Sequence, residues 1–239
     1  MADARWERWA SATGIGFVAT LLAGYAMAPR PPKLSDGPAL VADYFVHNRN
    51  PVLIGTVLAA GIGGVMLLWW LGSLRLFLRR RESDGGRLSA VAFGSGLVAL
   101  VILTQFLAIR AALAFGLSGT VDPSVSKGLY AVAYTVDALN VFPIGALLVA
   151  ASISALRSRA FPAWLAWFGL LAGVARWVTG LDVVLKESAL GDEGAIGFIV
   201  FLSVMVWIVA ASAVMVRRSA DRMPGNPRTR GGTRTPPLG

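Results

Sequence analysis

The chain has 239 residues, of which 56% are hydrophobic and 15% charged, with a mean hydropathy of +0.65 and a formal net charge of +9. A soluble domain carries roughly 25% charged residues, so the composition excludes a water-soluble globular protein and points to an integral membrane protein. The chain has no cysteine, which excludes disulfide scaffolds and thiolate chemistry, and one histidine, His47, which excludes multi-histidine metal sites.

A transmembrane helix needs about 20 mostly apolar residues, and six stretches meet that length: about Ala10 to Ala28, Pro51 to Phe77, Leu88 to Phe115, Gly128 to Leu156, Pro162 to Leu185 and Gly194 to Val216. The first, led by Arg5 and Arg8 and ending in Ala26-Met27-Ala28, has the outline of a secretory signal. Pro29 directly after that site and the tryptophans in the lead segment favour a retained span. Pro29-Arg30-Pro31-Pro32 then stops the helix. Residues 37–47 follow as a short amphipathic helix, with Leu40, Val41, Tyr44 and Phe45 clustering at helical spacing. It is expected on the outer surface, either in the headgroup layer or as a lid over a pocket. Small residues at Gly55, Ala59 and Gly63, at Ala90 and Gly94, and at Gly169 and Gly173 mark expected helix contacts. In the fourth span Pro143 leaves the Leu139 carbonyl without its helical donor and is expected to kink the helix. The fold class is therefore all-α, a polytopic six-span bundle over 1–218, followed by a disordered basic tail over 219–239.

Orientation follows the basic residues, which cytoplasmic loops hold in excess. The N-terminus, the second and fourth connectors and the tail hold 15 of the 22 lysines and arginines, and the opposite connectors hold five. Both termini are thus expected in the cytoplasm. Trp6, Trp9, Trp69, Trp70, Trp164 and Trp167 are expected at the inner membrane boundary, where indole rings are enriched. The surplus positive charge reads as contact with membrane lipid rather than nucleic acid, because no folded basic surface is available to present it.

Arg110, Asp137, Arg176 and Asp182 fall inside the expected spans. Each costs about 2.5–3.5 kcal/mol at the bilayer centre on insertion scales, so partners are required. At 1.5 Å per residue all four lie at mid-depth or in the outer half, and pairing of Arg110 or Arg176 with Asp137 is the first expectation. Tyr130, Tyr134, Asp137 and Asn140 form a polar stripe on the fourth span, and Thr179 shares a face with Arg176. These eight residues, Arg110, Tyr130, Tyr134, Asp137, Asn140, Arg176, Thr179 and Asp182, define the candidate ligand-binding set, a polar pocket opening outward and floored near Asn140. Gln105 is a further candidate lining group, and His47 is expected to be solvated.

No nucleotide fingerprint, nucleophile elbow or zinc-protease motif is present, and no cofactor or metal is expected. The runs Tyr44-Phe45-Val46-His47-Asn48-Arg49, Trp69-Trp70-Leu71-Gly72-Ser73-Leu74-Arg75 and Leu156-Arg157-Ser158-Arg159-Ala160-Phe161-Pro162-Ala163-Trp164-Leu165 resemble a bacterial, especially actinobacterial, family of six-helix membrane proteins of unknown function. The resemblance implies the six-span topology and a bacterial inner membrane; it implies no catalytic residue.

The expected role is binding, or helping to move, a lipid-like or small amphipathic molecule. The alternatives are a membrane-embedded cyclase or isomerase with Asp137 as acid, and a structural or regulatory subunit that assembles with itself or with a membrane partner. Topology has a direct check, since the chain has no native cysteine. A cysteine placed at Asp122 should react with an impermeant maleimide from outside the cell and one at Ser83 only after permeabilisation; the reverse pattern would invert the orientation.

Overall fold

The computed structural model describes residues 2–83, 85–180 and 194–220, and it contains helices and no strands among them. The helices are α1 (Ala2–Met27), α2 (Pro38–His47), α3 (Arg49–Thr56), α4 (Gly63–Arg79), α5 (Arg87–Phe115), α6 (Pro123–Ala138), α7 (Val141–Ser158), α8 (Ala163–Thr179) and α9 (Ala195–Ala220). A π-helical turn, Val57–Ile62, joins α3 to α4 into one continuous rod. Five helical stretches are long and apolar enough to cross a membrane: Trp6–Met27, Arg49–Arg79, Arg87–Gly119, Pro123–Ser158 and Ala195–Ser219. The sixth expected span is represented by α8, whose 17 residues rise about 26 Å, short of a hydrocarbon core of about 30 Å. The residues that extend it to Leu185, Asp182 included, lie outside the described residues, as does the tail beyond Ala220.

Local chemistry sets the helix boundaries. Asp122 caps α6 by accepting the Ser124 amide at 2.8 Å, with Pro123 in the first helical position, where its missing amide costs nothing. Gly85 and Gly86, at φ 75° and 84°, make the left-handed turn between α4 and α5. Glu82 closes that turn: its carboxylate accepts the Ser89 amide at 3.0 Å at the positive end of α5. It also accepts the hydroxyls of Ser89 and of Ser154 on α7, both fully buried.

The helices pack as a closed ring, α1 on α4, α4 on α5, α5 on α7, α7 on α8, α8 on α9 and α9 back on α1. Its centre is a core of Leu71, Trp70, Phe77, Phe161, Trp207 and Met215. Two contacts show the small residues at work. A Cβ on Gly24 would stand 2.7 Å from the Gly55 carbonyl oxygen and one on Gly55 2.6 Å from that of Gly24, so α1 and α3 meet backbone to backbone. Gly145 of α7 and Gly173 of α8 do the same at 2.9–3.0 Å. The expected contacts at Gly55, Ala59 and Gly63 and at Gly169 and Gly173 are therefore formed. The Ala90 and Gly94 pair is not: Ala90 is exposed and Gly94 faces open space, while Gly96, two residues on, abuts Leu71.

Trp6, Trp9, Trp69, Trp164 and Trp167 are exposed, as boundary tryptophans should be, but Trp70 is wholly buried against Trp207, with ring centroids 6.2 Å apart. Neighbouring helical positions differ by 100°, so Trp69 and Trp70 cannot share a face. Where the sequence suggests a kink, the helix breaks: α6 ends at Ala138, Leu139 and Asn140 form a turn, and α7 begins at Val141. The Leu139 carbonyl that Pro143 cannot serve instead accepts the Phe142 amide at 3.3 Å. The Trp177 indole donates to the Phe142 carbonyl at 3.0 Å and ties α8 across the break.

Overpacking a tight contact costs about 1–3 kcal/mol. Gly24→Ala and Gly55→Ala should each lower thermal stability in micelles by that order, whereas Gly94→Ala, which meets no atom within 4 Å, should not. Equal effects at all three positions would count against the backbone contact.

Candidate functional site

At the end of the bundle carrying α2, Arg110 projects from α5 with 7% of its surface exposed. Its guanidinium lies 5.3 Å from the centroid of the Phe106 ring, one turn earlier, a cation–π contact. The Tyr44 hydroxyl of α2 accepts a hydrogen bond from Arg110 and donates its own proton to the Pro29 carbonyl at 2.8 Å. Burial pushes the Tyr44 phenol above its ordinary pKa, and the positive charge of Arg110 and the hydrogen bond to it offset part of that rise. Tyr130 of α6, fully buried, donates to the Pro32 carbonyl at 2.7 Å and lies 3.2 Å from the Tyr134 hydroxyl.

The proline segment after α1 is thus held at both ends by tyrosine hydroxyls, and together with α2 it covers the Arg110 end. α2 seats Val41 and Phe45 on Leu113, Ala114 and Tyr130, while Leu40 and Val46 point away. Phe45 meets Tyr130 edge to face at 5.5 Å.

Among the described residues no carboxylate lies within ion-pair distance of Arg110. Of the two arginines expected from sequence to pair with Asp137, Arg110 forms no ion pair with it and lies beside Tyr44 of α2 instead. Arg110 Nε has no hydrogen-bond partner, nor do the buried hydroxyls of Ser118 and Ser126 at the same end. Buried polar atoms without partners cost about 1–3 kcal/mol each, so such atoms mark places where water, an ion or a ligand group belongs.

The remaining candidates form a second group around the break between α6 and α7. Asn140 is buried, its backbone N–H donating to the backbone carbonyl of Asp137 at 2.9 Å and its side-chain Oδ1 having no partner. Asp137 is half-buried. Arg176 is buried on α8, and Thr179 spends its hydroxyl on the Arg176 carbonyl at 2.8 Å. Trp177 links this group to α7. Asp182 is outside the described residues. Arg110 thus stands with Tyr130 and Tyr134, while Asp137 and Asn140 lie at the α6–α7 break and Arg176 and Thr179 near the end of α8. Gln105 is exposed on the outer face of α5 and lines neither.

Tyr44 and the Pro29 and Pro32 carbonyls are the parts that sequence reasoning misses, although Tyr44 stands on the apolar side of its helix. His47 is exposed and paired with Asp43 at 2.9 Å. Among the described residues no group of three His, Asp or Glu side chains could hold a metal ion. The chain matches no protein-family model, no curated protein and no solved structure.

Proposed function

We propose that the chain is a multi-pass membrane protein of the cell membrane, crossing six times with both termini in the cytoplasm, and that it binds an anionic amphiphile at its outer end. The negative headgroup sits on Arg110 beneath α2, and the apolar part leaves between helices toward the bilayer. The observation that carries this reading is a guanidinium at 7% exposure with aromatic and phenolic neighbours and no carboxylate at hand among the described residues. A buried guanidinium is costly to leave without an anionic partner, and Arg presents a planar fork of donors that matches carboxylate and phosphate oxygens.

The topology part rests on three ties that gather the basic ends together. Glu7 near the start of α1 meets Arg80 after α4 at 2.7 Å, Glu82 before α5 meets Ser154 near the end of α7, and Arg218 near the end of α9 donates to the Arg159 and Ala160 carbonyls before α8. The same end holds most of the arginines, which supports placing it on the cytoplasmic side. Tyr44 and Tyr130, whose hydroxyls hold the proline segment, form the gate through which the headgroup enters.

Native mass spectrometry of the purified full chain with added oleate or dioleoyl phosphatidic acid tests the reading. The parent should retain one or both, and Arg110→Gln should weaken retention about 10-fold or more, the effect of losing one charge-assisted hydrogen bond. Unchanged retention in a folded Arg110→Gln protein would overturn it.

A further inference from the structure

At the opposite, arginine-rich end a cavity of about 350 Å³ opens between α1, α4 and α9, within the size range of small-ligand sites. One wall is apolar: Trp6, Leu68, Trp69, Leu76 and Phe77. Trp6 and Trp69 meet edge to face with centroids 5.2 Å apart, and both are about half exposed, at 58% and 49%. Leu68 and Leu76 are also exposed, so the wall continues onto the side of the bundle that faces hydrocarbon in a bilayer. Tryptophans at this level anchor at the membrane–water boundary.

The charged residues of the cavity are Glu7, Arg80 and Arg218. Arg80 Nη2 is 2.7 Å from a Glu7 carboxylate oxygen. Arg218 is fixed by donating through Nη1 to the carbonyls of Arg159 and Ala160. A guanidinium has five N–H donors, so each arginine keeps donors beyond these contacts. Two cations and one anion leave the cavity one unit positive, which a single phosphodiester neutralises, while a zwitterionic headgroup would leave the surplus in place. The hydroxyls of Ser73 and Ser219, also in the lining, are spent on their own helices at 3.0 and 2.9 Å. The recognition of charge therefore falls to the arginines and to Glu7.

We propose that this cavity is a binding site for an anionic glycerophospholipid of the adjacent leaflet. Its phosphodiester sits on Arg80 and Arg218, headgroup hydroxyls donate to Glu7, and one acyl chain lies along Trp69, Leu76 and Phe77. The site rests on the chain being embedded with this end at the membrane surface. It does not rest on the reading of Arg110, and it holds a lipid of the opposite leaflet.

The test is native mass spectrometry of the full chain in dodecyl maltoside with phosphatidylglycerol or phosphatidylcholine of identical acyl chains, in the parent and in an Arg110→Gln background. Phosphatidylglycerol should be retained about 10-fold better in both, and Arg80→Gln should bring it down to the phosphatidylcholine level. Gly72 lines the cavity and has no atom within 4 Å of an added Cβ, so Gly72→Leu should fill the space and cut phosphatidylglycerol retention severalfold without lowering the unfolding temperature. This variant decides the matter if Arg80→Gln does not fold. Equal retention of the two lipids, or full retention by Gly72→Leu, would overturn the proposal. Preference that disappears in the Arg110→Gln background would assign it to the outer end instead.

Discussion

A guanidinium cannot shed its charge in a protein, so enclosing Arg110 obliges the surrounding chain to answer it. The answer draws on three helices. Phe106 offers a ring face from one turn earlier on α5, Tyr44 brings an acceptor from α2, and Tyr130 stands on α6 next to the same charge. The two tyrosines then pass their own protons to the Pro29 and Pro32 carbonyls. The result couples the position of the proline segment, and with it α2, to the electrostatics of a single side chain.

The opposite end is built on different rules. Its charges are numerous, mostly exposed, and tied to one another or to backbone carbonyls rather than enclosed. Glu82 is the exception: its carboxylate serves the N-terminus of α5 and the buried hydroxyls of Ser89 and Ser154, and so fixes the α4–α5 turn against α7. Between the two ends, backbone contacts at Gly24 with Gly55 and Gly145 with Gly173 bring helices closer than side chains would permit. Such contacts suit a bundle in lipid, where apolar side chains gain little by leaving their surroundings and packing must carry association.

Much of this was legible in the sequence. Long apolar runs, the proline stop after Ala28 and the small residues at Gly55, Ala59, Gly63, Gly169 and Gly173 follow from short-range rules that one chain displays directly. The short helix over 37–47 appears as Pro38–His47. What the sequence hides is the partner across space. Charge arithmetic offers Arg110 or Arg176 as the partner of Asp137, yet Arg110 lies beside a phenol 66 positions away in the chain. A small residue is equally small at Gly94 and Gly96, and only the rotation of α5 decides which one meets Leu71. Pro143 announces a disturbance, but the helix breaks into α6 and α7 there, the freed Leu139 carbonyl taking the Phe142 amide while Trp177 from another helix binds the Phe142 carbonyl.

The central claim is that the charge on Arg110 is a cost in the empty protein and a gain once an anion is bound. Thermal unfolding of Arg110→Met against the parent tests it most directly, in delipidated micelles and again with saturating dioleoyl phosphatidic acid. Methionine keeps much of the side-chain length and apolar packing while deleting the charge. The account predicts that Arg110→Met is at least as stable as the parent without lipid, and that only the parent is stabilised by the added lipid. A variant that is destabilised to the same extent in both conditions would show that Arg110 serves the fold alone, and would contradict the account.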